Sequence, residues 1–424
     1  MSAETEELKH KMRHALRGER VEKLKRPGPS FHRPGTVNFN PYQYDFYGDN
    51  FLEKYLLKGW TPAAPPISRG TKVTAFGSCF AANITKHLSK IGYNTSKDRD
   101  PDIYVSHLAD GLVNVHALSG QFEWAFENMK PPEGLWHGYD ATEYGIDEDM
   151  RLRTRAIFLD TDFFIVTLGL SEIWYDEQTG GVFWRAVPAR KFDTGRHKFR
   201  VEDFAESKAK IALMYRLIRQ HVPNAKVLFT LSPISLGATF RPVSCITANS
   251  VSKAILRAAL DEFYRENEAD LNTRLFYFPS YEFVNECFPL RYRHDNRHPH
   301  DAIIETIMRS FEAVYCETDF SLADAEAMFR DVRAFSLKAL GEVMIREEQA
   351  AAQEALPEPA PQLSKPAPQL AKPAPQLAKP APQLSKPAKL PNPAKRPTPQ
   401  PVVKRSFLRR ALSAAKRRLT SRPK

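Results

Sequence analysis

The sequence predicts an α/β fold, a doubly wound and mainly parallel sheet flanked by helices, followed by a disordered basic tail. Three observations carry this reading. Short β-branched and aromatic runs at residues 73–76, 156–167, 226–231 and 274–278 recur with room for a helix between them. The intervening stretches place apolar residues at helical spacing, as at Ile84, Leu88 and Ile91, and such alternation favours right-handed crossovers into a parallel sheet. Proline crowds the chain beyond residue 357, where no core can form.

In chain order, residues 1–36 hold a mixed-charge helix candidate and then the break RPGPSFHRPG, which reads as a mobile arm. Residues 38–60 are dense in aromatics and are expected to lie against the domain, either as an irregular lid or as a satellite hydrophobic cluster. A strand over 73–76 is broken by Gly77, and a helix over 81–91 follows, so Ser78 and Cys79 sit at the joint. Asn114 and His116 precede a helix expected to begin near Ser119. The run 156–167 reads as one buried strand ending in the loop Leu168, Gly169, Leu170, Ser171. An amphipathic helix over 208–220, a strand over 226–231, a helix over 249–265 and a strand over 274–278 complete the repeat. The cluster Asn249, Ser252, Lys253 could cap its helix or face the pocket, and the cap is the preferred reading. The resulting organisation is an arm over 1–36, an α/β domain over 37–320, a helical extension over 321–356, a proline-rich linker over 357–403 and a basic amphipathic tail over 404–424.

Charge is unevenly placed. The net charge is +11, but residues 357–424 carry sixteen Lys or Arg against one acid, Glu358, a net of +15 that leaves the remainder at −4. A basic groove for nucleic acid is therefore not expected on the domain. The four cysteines, Cys79, Cys245, Cys287 and Cys316, lie far apart without CxxC spacing, which fits a reducing cytoplasm and argues against a thiolate metal site. The N-terminus lacks an apolar h-region and no run is long enough to cross a bilayer. In the tail, APQL(S/A)KP recurs every seven residues, and a proline in each unit favours an extended spacer over a coiled coil. Leu408, Leu412 and Leu419 share a face beyond it, amid Arg409, Arg410, Lys416, Arg417 and Arg418. That pattern suits an anionic membrane surface, placing the protein peripherally at the inner face, or equally another polyanion.

Chemistry concentrates in two places. Ser78 and Cys79 stand where a strand hands over to a helix, and unpaired N–H groups at a helix start favour developing negative charge. Gly-Ser there also suits a plain turn and cap. Asp295 and His298 in DxxH spacing precede the last helix, a pairing in which a carboxylate orients an imidazole base. His294, His298 and His300 with Asp295 form a rival metal set, and Cys79 a rival nucleophile; the preferred reading has no metal, no cofactor and Ser78 attacking.

GSCFA at residues 77–81 resembles the signature of the GSCFA domain family, which is similar to the SGNH (GDSL-type) hydrolases and O-acyltransferases. TLGLSEIWYD at 167–176, TLSP at 230–233, YFPSYE at 277–282 and DNRHP at 295–299 extend the resemblance over roughly 38–316. It implies catalytic Ser78, His298 as base and Asp295 as its orienter. It also implies an oxyanion loop, but where SGNH enzymes carry an asparagine this chain has Gly169, Leu170, Ser171 and Glu172. The Gly169 N–H with the Ser78 N–H is then expected to hold the oxyanion, with the Ser171 hydroxyl or Asn114 as other donors that could stand in for the asparagine. The implied activity is hydrolysis or acyl transfer on an acylated carbohydrate or similar alcohol ester, near bacterial polysaccharide assembly. The alternative is a glycan- or protein-binding module that keeps the fold without catalysis.

Overall fold

The computed structural model describes residues 37–354 except 109, 110, 133 and 139, and over 343–354 the backbone alone. The arm expected over 1–36, the linker over 357–403 and the tail over 404–424 lie outside the described residues. Along the chain, β1 (Lys72–Gly77) leads into α1 (Cys79–Lys90), the two-residue β2 (Asn94–Thr95) and two single-turn helices, α2 (Ser96–Arg99) and α3 (Tyr104–His107). Helix α4 (Val115–Glu127) precedes a hairpin, β3 (Leu135–His137) with β4 (Thr142–Tyr144), and then α5 (Glu148–Leu159). Strand β5 (Phe163–Leu168) runs into a second hairpin, β6 (Glu172–Asp176) with β7 (His197–Val201), followed by α6 (Phe204–His221) and β8 (Lys226–Leu231). Helix α7 (Cys245–Glu266), β9 (Leu275–Tyr277), α8 (Ser280–Cys287), α9 (Asp301–Tyr315) and α10 (Leu322–Glu354) finish the described chain.

The central sheet has the order β2-β1-β5-β8-β9, and every pairing in it is parallel. Counting only these five strands, the order is 2-1-3-4-5, so the chain reverses direction between β1 and β5. That reversal is the topological switch point of a doubly wound sheet, where ligands bind beyond the strand C-termini.

Side-chain alternation sends each strand's residues to two cores. Phe76, Phe164, Val166, Phe229 and Tyr277 join the core under α4, α6 and α7, while Val73, Ala75, Ile165, Leu228 and Phe276 join the one under α1, α9 and α10. The helices therefore cover both faces, as a parallel sheet requires.

Several elements differ from the sequence reading. Residues 156–159 are the last turn of α5, not the start of a strand: Asp160, Thr161 and Asp162 break the apolar run, and β5 begins at Phe163. Helix α4 starts four residues before Ser119, because the Asn114 side chain accepts the Ala117 N–H at 2.8 Å and caps it there. Helix α7 is capped by Ser244 rather than by the 249–253 cluster, which falls inside the helix. Of the two readings of the aromatic segment 38–60, the structure shows the packed hydrophobic cluster and not the lid. Phe46, Phe51, Leu52 and Leu57 are buried in the α9–α10 core, and Phe51 stacks on Phe329 of α10 at 5.0 Å. Residues 322–354 make one continuous helix.

Candidate active site

The joint after β1 is set by backbone contact. Gly77 has φ +137° and lies so close to β5 that a Cβ there would sit 2.2 Å from the Thr167 carbonyl oxygen. Ser78 follows in extended conformation, and its Oγ accepts the Phe80 N–H at 3.2 Å as the N-cap of α1. Ser78 is 3% exposed. Cys79, the rival nucleophile, is half-buried at the first position of α1.

A short segment beside Ser78 binds the neighbouring loops together. Gly111 pairs with Ser78 in an isolated antiparallel bridge. The Val113 carbonyl accepts the N–H groups of Gly169 at 2.9 Å and Leu170 at 3.1 Å, and Gly169 lies so near that a Cβ would meet that oxygen at 2.7 Å. Asn114, besides capping α4, donates from Nδ2 to the Phe183 and Trp184 carbonyls at 3.3 and 3.4 Å, fixing the strap between β6 and β7. The polar groups of Asn114 and the Gly169 N–H thus hold protein partners in this structure. Ser171 is fully buried; its N–H donates to the Ser252 Oγ at 2.8 Å, while its Oγ has no hydrogen-bond partner among the described residues.

Beneath these loops lies a residue the sequence reading assigned to a cap. Lys253, 2% exposed, donates from Nζ to the Gly169 carbonyl at 2.6 Å and the Ser232 carbonyl at 2.9 Å, joining the ends of β5 and β8. Burial pushes its ammonium down to about 7; of its charged neighbours, Cys79 favours the protonated form and Arg297 opposes it. The signal was present in the sequence: Lys253 shares the helical stripe of Leu256, Leu260 and Phe263, a face that ordinarily buries only apolar side chains.

Asp295 and His298 occur together in one tight turn. Asp295 Oδ1 accepts the N–H groups of Arg297 and His298 at 3.0 Å each, and its Oδ2 lies 2.5 Å from His298 Nδ1. The hydrogen bond from His298, with the two backbone donors, holds the Asp295 carboxyl well below the usual carboxylate range. Both side chains are about one-third to two-fifths exposed, at 35% and 40%. Arg297 Nε donates to the Ser235 carbonyl at 3.1 Å and Tyr292 Oη to the Pro233 carbonyl at 3.1 Å, fastening the turn to the segment that leaves β8.

The Ser78 and His298 loops lie on the same edge of the sheet. Ser78 follows the C-terminal end of β1, and Arg297 holds its neighbour against the C-terminal exit of β8. Helices α1 and α9 also touch, His87 Nε2 of α1 lying 2.8 Å from Glu312 Oε2 of α9.

His116 stands apart. Its Nε2 lies 2.8 Å from Glu206 Oε1 and 3.6 Å from the fully buried Glu202, whose carboxyl burial pushes up to about 8. Among the described residues no group of three or more His, Cys, Asp or Glu side chains is placed to hold a metal ion. No helix among them is long and apolar enough to cross a membrane.

Comparison with curated proteins finds no match. Residues 72–311 match the model of the GSCFA family, a span that runs from the first residue of β1 through the Ser78 joint and the Asp295–His298 turn into α9. More than half of the 424 residues fall in that match, and the chain belongs to the GSCFA family.

Proposed function

We propose that the protein is a serine acyl-ester enzyme of the SGNH kind, a hydrolase or O-acyltransferase acting on an acylated glycan or similar alcohol ester. The observation that carries this reading is the Asp295–His298 pair, with its carboxylate on Nδ1, on the sheet edge where Ser78 begins α1. Because Nδ1 is engaged by Asp295, Nε2 is the nitrogen left to take a proton. In this mechanism Ser78 Oγ attacks the acyl carbon as its proton passes to His298 Nε2, and Asp295 steadies the imidazolium. The alcohol leaves with that proton. Water or an acceptor alcohol then attacks the acyl-serine, with His298 as base again. The Gly169 N–H is directed at Val113, so backbone N–H groups at the start of α1, led by that of Ser78, are assigned the oxyanion.

A fluorophosphonate probe and a chromogenic acetyl ester test the assignment. Labelling and turnover are expected in the wild type and lost in Ser78→Ala; labelling that persists in Ser78→Ala and disappears in Cys79→Ala would move the nucleophile one residue. The second reading is a non-catalytic glycan- or protein-binding module. It is favoured by the burial of Ser78 and by its cap to Phe80. A wild-type protein that neither labels nor turns over, yet captures a glycan or protein equally well as Ser78→Ala and His298→Ala, would establish it.

A further inference from the structure

We propose that this sheet edge binds an oxyanion group of the ligand, a carboxylate or a phosphate, between Arg297, Arg185 and the Lys253 ammonium. Among the described residues the cations there have no carboxylate partner. Lys253 is buried with two carbonyl oxygens as acceptors, and the charged groups that act on it are Cys79, which favours its protonated form, and Arg297, which opposes it. A buried ammonium is costly without a counter-charge, and a bound anion supplies one.

Arg297 adjoins His298, and its charge reaches Lys253. Its Nε is spent on the Ser235 carbonyl and its guanidinium lies over Gly237, where a Cβ would meet the guanidinium carbon at 3.1 Å. No ion pair with a carboxylate is formed by Arg297 or by Arg185 among the described residues. The guanidinium of Arg185 converges with the His137 ring on Gly111: a Cβ there would sit 2.5 Å from the ring and 3.3 Å from Arg185 Nη1. Since Gly111 is paired with Ser78, Arg185 Nη1 lies within about 10 Å of the Ser78 Cα, given the usual spacing across an antiparallel pair.

The strap bearing Arg185 is held in place, because Asn114 grips the carbonyls of the two residues before it. Among the described residues, Asp295 is already engaged by His298 and Glu172 by the Thr239 hydroxyl at 2.8 Å. Planar guanidinium forks suit a carboxylate or phosphate, so the geometry selects a negatively charged ligand over a neutral one.

The inference deepens the proposed acyl-ester activity by naming the charge of its substrate, and its first test does not depend on that activity. The full chain is titrated with sodium succinate and, separately, inorganic phosphate at constant ionic strength, with chloride as the balancing salt, while heat of binding and thermal unfolding are followed. Saturable binding of at least one probe is expected, and the better probe identifies the group. Affinity should fall about tenfold or more in Arg297→Gln and in Arg185→Gln, which leave the core untouched, and in Lys253→Met if that variant folds. Neither probe exceeding chloride, or affinities unchanged in both arginine variants, would overturn the site.

A second arm compares 4-nitrophenyl acetate with the anionic mono-4-nitrophenyl succinate. A kcat/KM ratio favouring the anionic ester should shrink in the arginine variants; a ratio that stays put argues against the site. Anion binding without turnover of either ester keeps the site and removes the esterase reading, while turnover of the neutral ester without anion binding does the reverse.

Discussion

Gly77→Ala is the sharpest perturbation of the joint between β1 and α1. Its φ of +137° lies in a region that L side chains rarely adopt, at a cost of about 1–3 kcal/mol. The new Cβ would also sit 2.2 Å from the Thr167 oxygen, about 1 Å inside ordinary contact, and that oxygen belongs to the paired strand β5. Relief requires β1 and β5 to part at the end of a ladder that runs in register from Val73↔Phe163 to Gly77↔Thr167. Loosening one or two buried backbone hydrogen bonds adds about 1–3 kcal/mol each. The total, roughly 2–9 kcal/mol, is a large fraction of a domain's stability. Urea unfolding followed by tryptophan fluorescence measures it, with Gly70→Ala as the control. Nothing lies within 4 Å of a Cβ at Gly70, so that variant should stay within about 1 kcal/mol of wild type. A folded Gly77→Ala within about 1 kcal/mol of wild type would refute the idea that contact between these strands dictates the residue before Ser78.

Asp295→Asn should lower ester turnover about 10³-fold or more with little change in far-UV circular dichroism, because it removes the charge behind His298; a loss under tenfold in kcat would speak against the pair. Stability should fall between about pH 5 and pH 8 through Glu202. Its folded carboxyl is raised to about 8, so the native state keeps a proton that the unfolded chain gives up first, with a slope of at most about 1.4 kcal/mol per pH unit. Urea midpoints across that range should flatten in Glu202→Gln, and an unchanged slope would contradict this. Lys253 works in the opposite direction: its amine is lowered to about 7, so between about pH 7 and 10 the unfolded chain binds the extra proton and stability rises with pH, a gain that Lys253→Met should abolish. Phe329→Ala should cost about 3–5 kcal/mol by calorimetry or denaturant, because the ring is fully buried against Phe51 and Phe288; a change under 1 kcal/mol would mean that α10 contributes little to the core.

The parts that the sequence made legible are those whose signal is local. A β-branched run stopped by glycine marks β1, and three-residue spacing lets Asp295 and His298 meet within one turn, so both are readable without knowing what surrounds them. Asn114 was legible as a polar residue at a turn, but its grip on the carbonyls of Phe183 and Trp184 joins segments some 70 residues apart. Hairpin β6–β7 escaped because twenty residues separate its strands, with no tight-turn dipeptide to fix their pairing. The run 156–167 misled because Ile157 and Phe158 are apolar for a different reason than Phe163 and Phe164: the former pair packs a helix onto the sheet that the latter pair builds. Periodicity over so short a run does not separate the two. Lys253 was ranked as a cap above a pocket residue through weighing residue type over register, since a lysine beside serine and asparagine looks like a cap until its place on the stripe of Leu256 and Leu260 is counted.

The placement of the two motifs at one sheet edge follows from topology more than from either motif. Strand β1 ends at the switch point, so the chain leaves it through α1 on one face and returns to β5 after crossing to the other, which opens a gap above the paired ends of β1 and β5. Whatever closes that gap must come from distant segments, and here it comes from the 111–114 stretch, the strap before Arg185 and the turn at Asp295. Each is fastened by hydrogen bonds to backbone carbonyls: Asn114 to residues 183 and 184, Lys253 to 169 and 232, Arg297 to 235. Backbone acceptors do not change when surface side chains do. Lys253 and Arg297 therefore serve both the frame around Ser78 and the proposed recognition of a ligand, whereas Arg185 can set the ligand's charge without fastening any of these segments.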